Sequence, residues 1–178
     1  MKIAKLILSL MIISAVCAGV LASVNAVTKE TIKSIRAQQT LDAAAAVMPA
    51  GADASKVEQI GDGIFVGKGA DGQPVGYAVK GSDPSGYGGY IVLMVGFTPD
   101  YRIVAYRKLE AAETPGLGAN LTSEGFMKQF SGMDASSPVA VKKDGGAVEA
   151  ITSATITSRA VCGAINNAKT RMEGILKK

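Results

Sequence analysis

The chemistry in this sequence is concentrated in two short stretches. The first is Glu149-Ala150-Ile151-Thr152-Ser153-Ala154-Thr155-Ile156-Thr157-Ser158, a run of hydroxyls and small side chains at the entrance to a helical pattern. Taken alone, such a run reads as the N-cap region of a helix. The same place can hold a ligand. The first turn of a helix offers unpaired backbone N–H groups and the positive end of the dipole, so a phosphate sits well there. Small neighbours such as Ser153 and Ala154 let it approach the backbone. The second stretch, Glu113-Thr114-Pro115-Gly116-Leu117-Gly118, reads by itself as a turn with proline at its second position. It is no dinucleotide fingerprint, because Gly116-Leu117-Gly118-Ala119-Asn120-Leu121 lacks the third glycine. Gly67-Lys68 makes no P-loop either: Asp62 stands at its first glycine and Gly69 replaces the Ser or Thr.

The 178-residue chain contains no histidine. That removes Ser-His-Asp and Cys-His catalysis, His-ligated zinc and His-held haem, so any chemistry is borrowed from a cofactor. The two cysteines, Cys17 and Cys162, lie in two different helical segments, which argues against a disulfide framework. Net charge is +4, but it sits at the ends. Residues 1–40 and 159–178 each carry five bases and one acid, whereas the residues between carry nine bases against thirteen acids. Without a basic stripe interleaved with aromatics, nucleic acid is excluded as a partner, and basic ends suit a membrane surface.

The elements that position these stretches follow from periodicity. Leu6 to Val24 carries no charge and is just long enough to span hydrocarbon, which needs about 20 residues. A cleaved signal peptide ending at Val24-Asn25-Ala26 is the rival reading; the length of the apolar run favours a retained anchor. Lys2 and Lys5 hold the short tail inside, although Lys29, Lys33 and Arg36 lie beyond the run, and the expected topology puts the domain outside the cytoplasm. Helix formers continue from Thr28 to Met48, and Pro49 ends them. Phe65-Val66, Val75 to Val79 and Tyr90 to Phe97 read as strands, the last buried, and Thr98-Pro99-Asp100 turns the chain back into Ile103 to Leu109. Glycine clusters at 61–72 and 81–89 read as loops, Leu121 to Phe130 as a short helix, and Val139 to Val148 as a hairpin turning at Lys143-Asp144-Gly145-Gly146. From Thr155 to Leu176, Val161, Ile165, Ala168, Met172 and Ile175 form an apolar helical stripe. The fold class is α+β, an antiparallel sheet flanked by helices with one N-terminal transmembrane helix. Residues 1–26 make the tail and anchor, 27–49 a connecting helix and 50–178 the extracytoplasmic domain.

In this order the two stretches are far more specific than either alone. The chain resembles the G subunit of the Rnf electron-transport complex and, more distantly, the C subunit of the sodium-pumping NADH:quinone reductase. The likeness runs through the anchor, Gly86-Tyr87-Gly88-Gly89-Tyr90, Glu113 to Gly118, Val141-Lys142-Lys143-Asp144-Gly145-Gly146 and the segment Thr155 to Val161. In that family the pattern Asp-x-x-Ser/Thr-Gly-Ala-Thr carries FMN by a phosphoester on its last threonine. Matched here, that residue is Thr155, preceded by Thr152, Ser153 and Ala154. Glu149 replaces the aspartate, and Ser153 puts a Cβ where the family usually keeps none. A family histidine before the second stretch is replaced by the Ala111-Ala112 region.

The resemblance implies that Glu113, Thr114 and Leu117 line the flavin ring, in a loop that includes Gly116 and Gly118, with Lys142 or Lys143 nearby. It implies a flavin transferase that attaches FMN drawn from FAD, since a threonine hydroxyl without a base is a poor nucleophile. It further implies other membrane subunits of the complex as partners, a lipid bilayer around the anchor in the cell (inner) membrane, and no metal. The expected function is an electron-relay subunit of a membrane ion-translocating ferredoxin:NAD oxidoreductase, without catalytic activity of its own. The C subunit of the quinone reductase and a stand-alone extracytoplasmic flavin reductase are the alternatives. A pilin-type structural protein is disfavoured, because no Gly-Phe pair with a following glutamate precedes the apolar run.

Overall fold

A computed structural model describes residues 2–53 and 57–176. They fall into two compact units that divide between Gln39 and Thr40. The first unit consists of helix α1 (Lys2–Ala46) up to that boundary. It is long and apolar enough to cross a membrane by length and composition. Leu6, Met11, Ile12, Val16 and Leu21 all leave more than half their surface exposed, an arrangement that water disfavours and hydrocarbon accepts. The hydroxyls of Ser9 and Ser23 donate to the carbonyls of Lys5 (2.9 Å) and Gly19 (2.8 Å), so neither leaves an unmet polar group on the apolar surface.

The second unit is a five-stranded antiparallel meander: β1 (Val57–Gly61), β2 (Ile64–Lys68), β3 (Pro74–Gly86), β4 (Gly89–Phe97) and β5 (Ile103–Glu110), paired in chain order. A short helix α2 (Glu124–Lys128) and the long α3 (Thr155–Leu176) complete it. Ile91, Leu93, Val95 and Phe97 of β4 alternate onto the face that α3 covers through Val161, Ile165, Ala168 and Met172. Between them Met94 turns to the opposite face, where it packs with Phe65, Ala78, Ala44 at the end of α1 and Val47 just beyond it. Both faces of β4 are therefore buried, which is why its sequence is apolar without alternation. The α+β expectation holds, as do the apolar stripe of α3 and the turn between β4 and β5.

Local expectations differ in four places. The glycine cluster at 81–89 is not a loop: β3 runs on to Gly86, and only Tyr87-Gly88 turns before β4 begins. Gly81 serves helix packing, because a Cβ there would lie 2.7 Å from the Cβ of Ala168 and press on the Ala164 carbonyl. Within 61–72, the strand expected at Phe65-Val66 is present and extends as buried β2 over Ile64–Lys68 at the expense of the expected loop, and β1, a mostly exposed edge strand with no apolar alternation, escaped the sequence reading. Leu121 to Phe130 divides into a 3-10 turn over Gly118–Thr122 and the single turn of α2, with Ser123 extended between them. The segment is anchored by Tyr106, whose buried hydroxyl donates to the Leu121 carbonyl, and by edge-on contacts of Phe130 with Tyr106 (5.4 Å) and Phe126 (5.3 Å). Finally, Val141 and Val148 pair in a parallel bridge around a 3-10 turn, Lys142–Asp144, instead of a hairpin. Asn166 of α3 clamps the start of this segment by accepting the Val139 N–H and donating to its carbonyl, both at 2.8 Å, while the Lys142 N–H bonds the Val148 carbonyl (2.7 Å) and the Val148 N–H the Ala140 carbonyl (3.1 Å).

Candidate functional site

Helix α3 starts at Thr155 because the four residues before it are locked in a turn. The Ile151 carbonyl accepts the Ala154 N–H at 3.0 Å. The fully buried Ser158 hydroxyl accepts the Ile151 N–H (2.9 Å) and donates to the Ala154 carbonyl (3.0 Å), so the helix reaches back and fixes its own entrance. Within the turn Ser153 takes a left-handed backbone, φ 61°, the conformation that glycine adopts without strain. Among the described residues, the N–H groups of Thr155, Ile156 and Thr157 meet no acceptor. These are the orphan donors of a helix N-terminus.

Opposite this turn runs the loop that leaves β5. Glu113 accepts the Thr157 hydroxyl at 2.6 Å with one carboxylate oxygen and the Gly88 N–H at 3.2 Å with the other. One side chain thus ties together the β3–β4 hairpin tip, the 113–118 loop and the first turn of α3. Gly118 closes the junction: a Cβ there would lie 2.6 Å from Thr157 Oγ1 and against the Glu113 carboxylate. Between these three segments lies a cavity of about 520 Å³, within the roughly 300–1,000 Å³ of small-molecule sites. Its walls are Glu113, Thr114, Leu117 and Gly118 on one side, Ser153 to Thr157 on the other, and Tyr87 at the hairpin tip.

A second cavity of about 340 Å³ flanks the first, sharing Ser153 and Thr155 and lined further by Lys142, Lys143, Thr152 and the Glu149-Ala150-Ile151 segment. Lys142 Nζ lies 3.4 Å from the Glu149 carboxylate. Asp144 meets Arg159 in a two-point ion pair, both contacts 2.7 Å, which staples the lysine-bearing turn to α3 one helical turn beyond Thr155. Hydrogen bonding to that guanidinium holds the Asp144 carboxyl below its ordinary range. Cys162, in the same helix but 3% exposed, has its thiol pushed up to about 12 by burial, which makes it inert in the folded state.

The structure brings Glu113, Thr114, Leu117, Gly118, Ser153, Ala154 and Thr155 onto one cavity and puts Thr152 and Lys142 on its neighbour. Gly116 lines neither; it is the φ 76° residue of the loop, with its carbonyl accepting the Asn120 side chain at 3.0 Å. The two cavities distinguish the three threonines. Thr157 is 1% exposed with its hydroxyl committed to Glu113, Thr152 borders only the smaller cavity, and Thr155 borders both. Sequence reasoning did not single out Tyr87, Ile156 or Thr157 as wall residues. Tyr87 had a signal, an aromatic set among glycines, whereas the other two depended on which way the first helical turn faces.

A family of FMN-binding domains matches residues 86–170, from the hairpin tip through most of α3. Over 94% of its length the chain is 35% identical to the G subunit of the ion-translocating oxidoreductase complex of Methanosarcina acetivorans, spanning 93% of that protein. The chain belongs to this family of Rnf G subunits. Another relative is the G subunit of the Na(+)-translocating ferredoxin:NAD(+) oxidoreductase complex of Acetobacterium woodii, 36% identical over 91% of this chain and 87% of that one. Among solved structures, the crystal structure of Shewanella oneidensis NqrC overlaps 58% of this chain and 52% of its own at 25% identity, with a TM-score of 0.48. The FMN-binding match begins at Gly86 and takes in all three segments that Glu113 joins. The chain is accordingly a redox subunit of an ion-translocating oxidoreductase complex.

Proposed function

We propose that the second unit carries FMN in the larger cavity through a phosphoester on Thr155. On this reading the chain relays electrons between membrane-embedded partners of an ion-translocating ferredoxin:NAD oxidoreductase of the Rnf type. The observation that carries the reading is the position of Thr155. Of the three threonines only Thr155 borders both cavities; Ser153 borders them too but lies in the left-handed turn before the helix, whereas Thr155 is the first residue of α3, whose first N–H groups are unpaired among the described residues. A phosphate esterified there would accept those N–H groups and lie at the positive end of α3.

The other wall residues fit the same group. Leu117 and Ile156, 43% and 50% exposed, and the Tyr87 ring offer apolar cover. Glu113 keeps this cover in place by holding the hairpin tip and α3 against the loop. Bound there, FMN supplies the electron-transfer chemistry that no side chain of this histidine-free sequence offers. Attachment needs an outside base, since the nearby carboxylate of Glu113 is already bonded to Thr157 and Gly88, and a separate flavin transferase would provide it. Residues 1–26 then serve as tail and anchor in the bilayer, 27–49 as connector and 50–178 as the flavin domain, facing away from the cytoplasm.

Intact mass and peptide mapping test the attachment. One phosphoester-linked FMN is expected on the wild-type Thr155 peptide and none on Thr155→Ala; flavin released by denaturation, or mapped to Thr152 or Thr157, refutes it. An impermeant thiol reagent applied to a Ser85→Cys variant in intact cells tests the sidedness. Labelling only after the membrane is opened reverses it.

A further inference from the structure

Exposed apolar surface in the second unit is gathered at one end of it. Tyr87 and Tyr90, 73% and 64% exposed, are its most exposed large apolar side chains among the described residues, and both belong to the β3–β4 tip. A flavin in the larger cavity would use Tyr87, Leu117 and Ile156, but Tyr90 does not line that cavity. Strand alternation sets Tyr90 on the same face of β4 as Met94, the face that the end of α1 covers. The chain enters the unit along this face. Ala44 shares the Met94 cluster, Val47 lies over Gly96, and Pro49 lies over Gly76 beside the Phe97 carbonyl. This path advances in the direction in which β4 runs, away from the tip. The chain therefore arrives from the tip side, where Leu41 is 43% exposed. Helix α3 starts at the same end: Gly163 meets Asp83, Ala164 and Ala168 cross Gly81, and Ile175 reaches Gly61. Charge divides the two ends. No charged residue occurs from Pro84 to Pro99, whereas the turns at the opposite end carry Asp71, Asp100 and Arg102.

We propose that this end of the second unit rests on the lipid bilayer, with Tyr87 and Tyr90 in the headgroup layer and the larger cavity opening at the membrane surface. The inference rests on the reading of α1 as a membrane anchor and of the cavity as the flavin site. A tyrosine ring has an apolar body and a polar hydroxyl, and the boundary between headgroups and acyl chains satisfies both at once. The tip enters that layer at little cost, since it brings no charge to desolvate and its backbone groups stay within reach of headgroup water. The carboxylates at this end are held back from it. Glu113 is turned inward onto Thr157 and Gly88, Asp83 accepts the Ser85 N–H, and Glu110 is set back at the level of Val92. A protein–protein interface is rimmed by polar side chains, whereas this tip offers glycines and two tyrosine hydroxyls. Seated in this way, the cavity mouth is open to redox partners within the membrane and closed to soluble electron carriers.

The sequence contains no tryptophan, so each substitution to tryptophan is a single reporter. The full-length chain is reconstituted in phosphatidylcholine vesicles with and without bromine on the upper acyl carbons, and the ratio of the two emissions cancels any quenching by bound flavin. Tyr90→Trp is expected to emit about twofold less in brominated vesicles, as a ring lying about 5–10 Å into the boundary would. Tyr87→Trp repeats the measurement from the other ring, with the same result expected. Gln73→Trp, in the exposed turn at the opposite end, is expected to emit equally in both. Unquenched emission from the two tip positions, or equal quenching at Gln73→Trp, overturns the proposal. So does quenching that disappears when the variant is assembled with the other subunits of the complex, which would assign the tip to a protein partner. Protection of Cys162 from thiol reagents verifies that each variant is folded. Failure of the wild-type chain to float with the vesicles refutes the anchor instead, and a Thr155 peptide without flavin refutes the flavin site; neither is read from tryptophan emission.

Discussion

The bond between Thr157 and Glu113 sets the geometry of the larger cavity, and its worth can be worked out from its surroundings. Thr157→Val keeps the shape of a side chain that is 1% exposed and removes the hydroxyl that donates to Glu113 at 2.6 Å. A hydrogen bond to a charged group contributes about 1.5–3 kcal/mol. Because Glu113 is only partly buried and keeps the Gly88 N–H, water can replace the lost donor, and the low end applies. Glu113→Ala removes the acceptor from both Thr157 and Gly88. The buried hydroxyl can turn back to the carbonyl four residues earlier, so the expected loss is about 2–3 kcal/mol, not the sum of two orphaned groups. The double variant should reveal a coupling of about 1–2 kcal/mol. Far-UV dichroism would be dominated by α1, so the assay is thiol labelling of Cys162 in a Cys17→Ser background. Cys162 is buried and its thiol is held protonated, and it reacts only when the second unit opens. Each 1.4 kcal/mol lost should speed labelling about tenfold. A coupling below about 0.5 kcal/mol would mean that the three segments are held by packing and that Glu113 does not brace them.

Three further outcomes are expected. Ser153→Gly relieves a left-handed backbone strain of about 1–2 kcal/mol against about 0.4–1 kcal/mol of added chain entropy, so it should stabilise the unit slightly, whereas Ser153→Val should destabilise it; both are read by Cys162 labelling. Gly81→Ala drives a Cβ onto the Ala164 carbonyl and should cost about 1–3 kcal/mol, with faster amide exchange in α3; an unchanged exchange pattern would mean that α3 shifts freely. The folded-state pKa of Asp144 is depressed by Arg159, so the folded state binds fewer protons there and stability rises with pH between the folded value and the ordinary carboxylate value near 4. The contribution is present at neutral pH and lost as pH falls through the folded pKa, and Arg159→Gln should move the Asp144 titration, followed by carboxyl NMR, up toward the ordinary value.

Local pattern determined a good deal of this protein. The charge-free run from Leu6 to Val24, the unbroken apolar strand from Ile91 and the stripe from Val161 to Met172 each carry their element in the spacing of neighbours. Burial on one stripe, on both faces or in hydrocarbon imposes that spacing directly. The two chemical stretches were legible for a similar reason, since hydroxyls before a helix and a proline-glycine loop are local conformational statements. What lay between distant residues was not legible. Gly81 reads as a loop glycine until Ala164 and Ala168 are seen to pass over it, and the 139–148 segment reads as a hairpin until Asn166 is seen to take both backbone groups of Val139. Glu113 and Thr157 were expected on ring and helix separately, and only their 44-residue separation closing to 2.6 Å makes them one brace. Likewise Lys142 or Lys143 was expected near the flavin ring, and the packing of their turn on α3 puts both on a second cavity beside the first. Periodicity reports the environment of a residue, while a site is made by which environments meet, and that is decided by the packing of the whole unit.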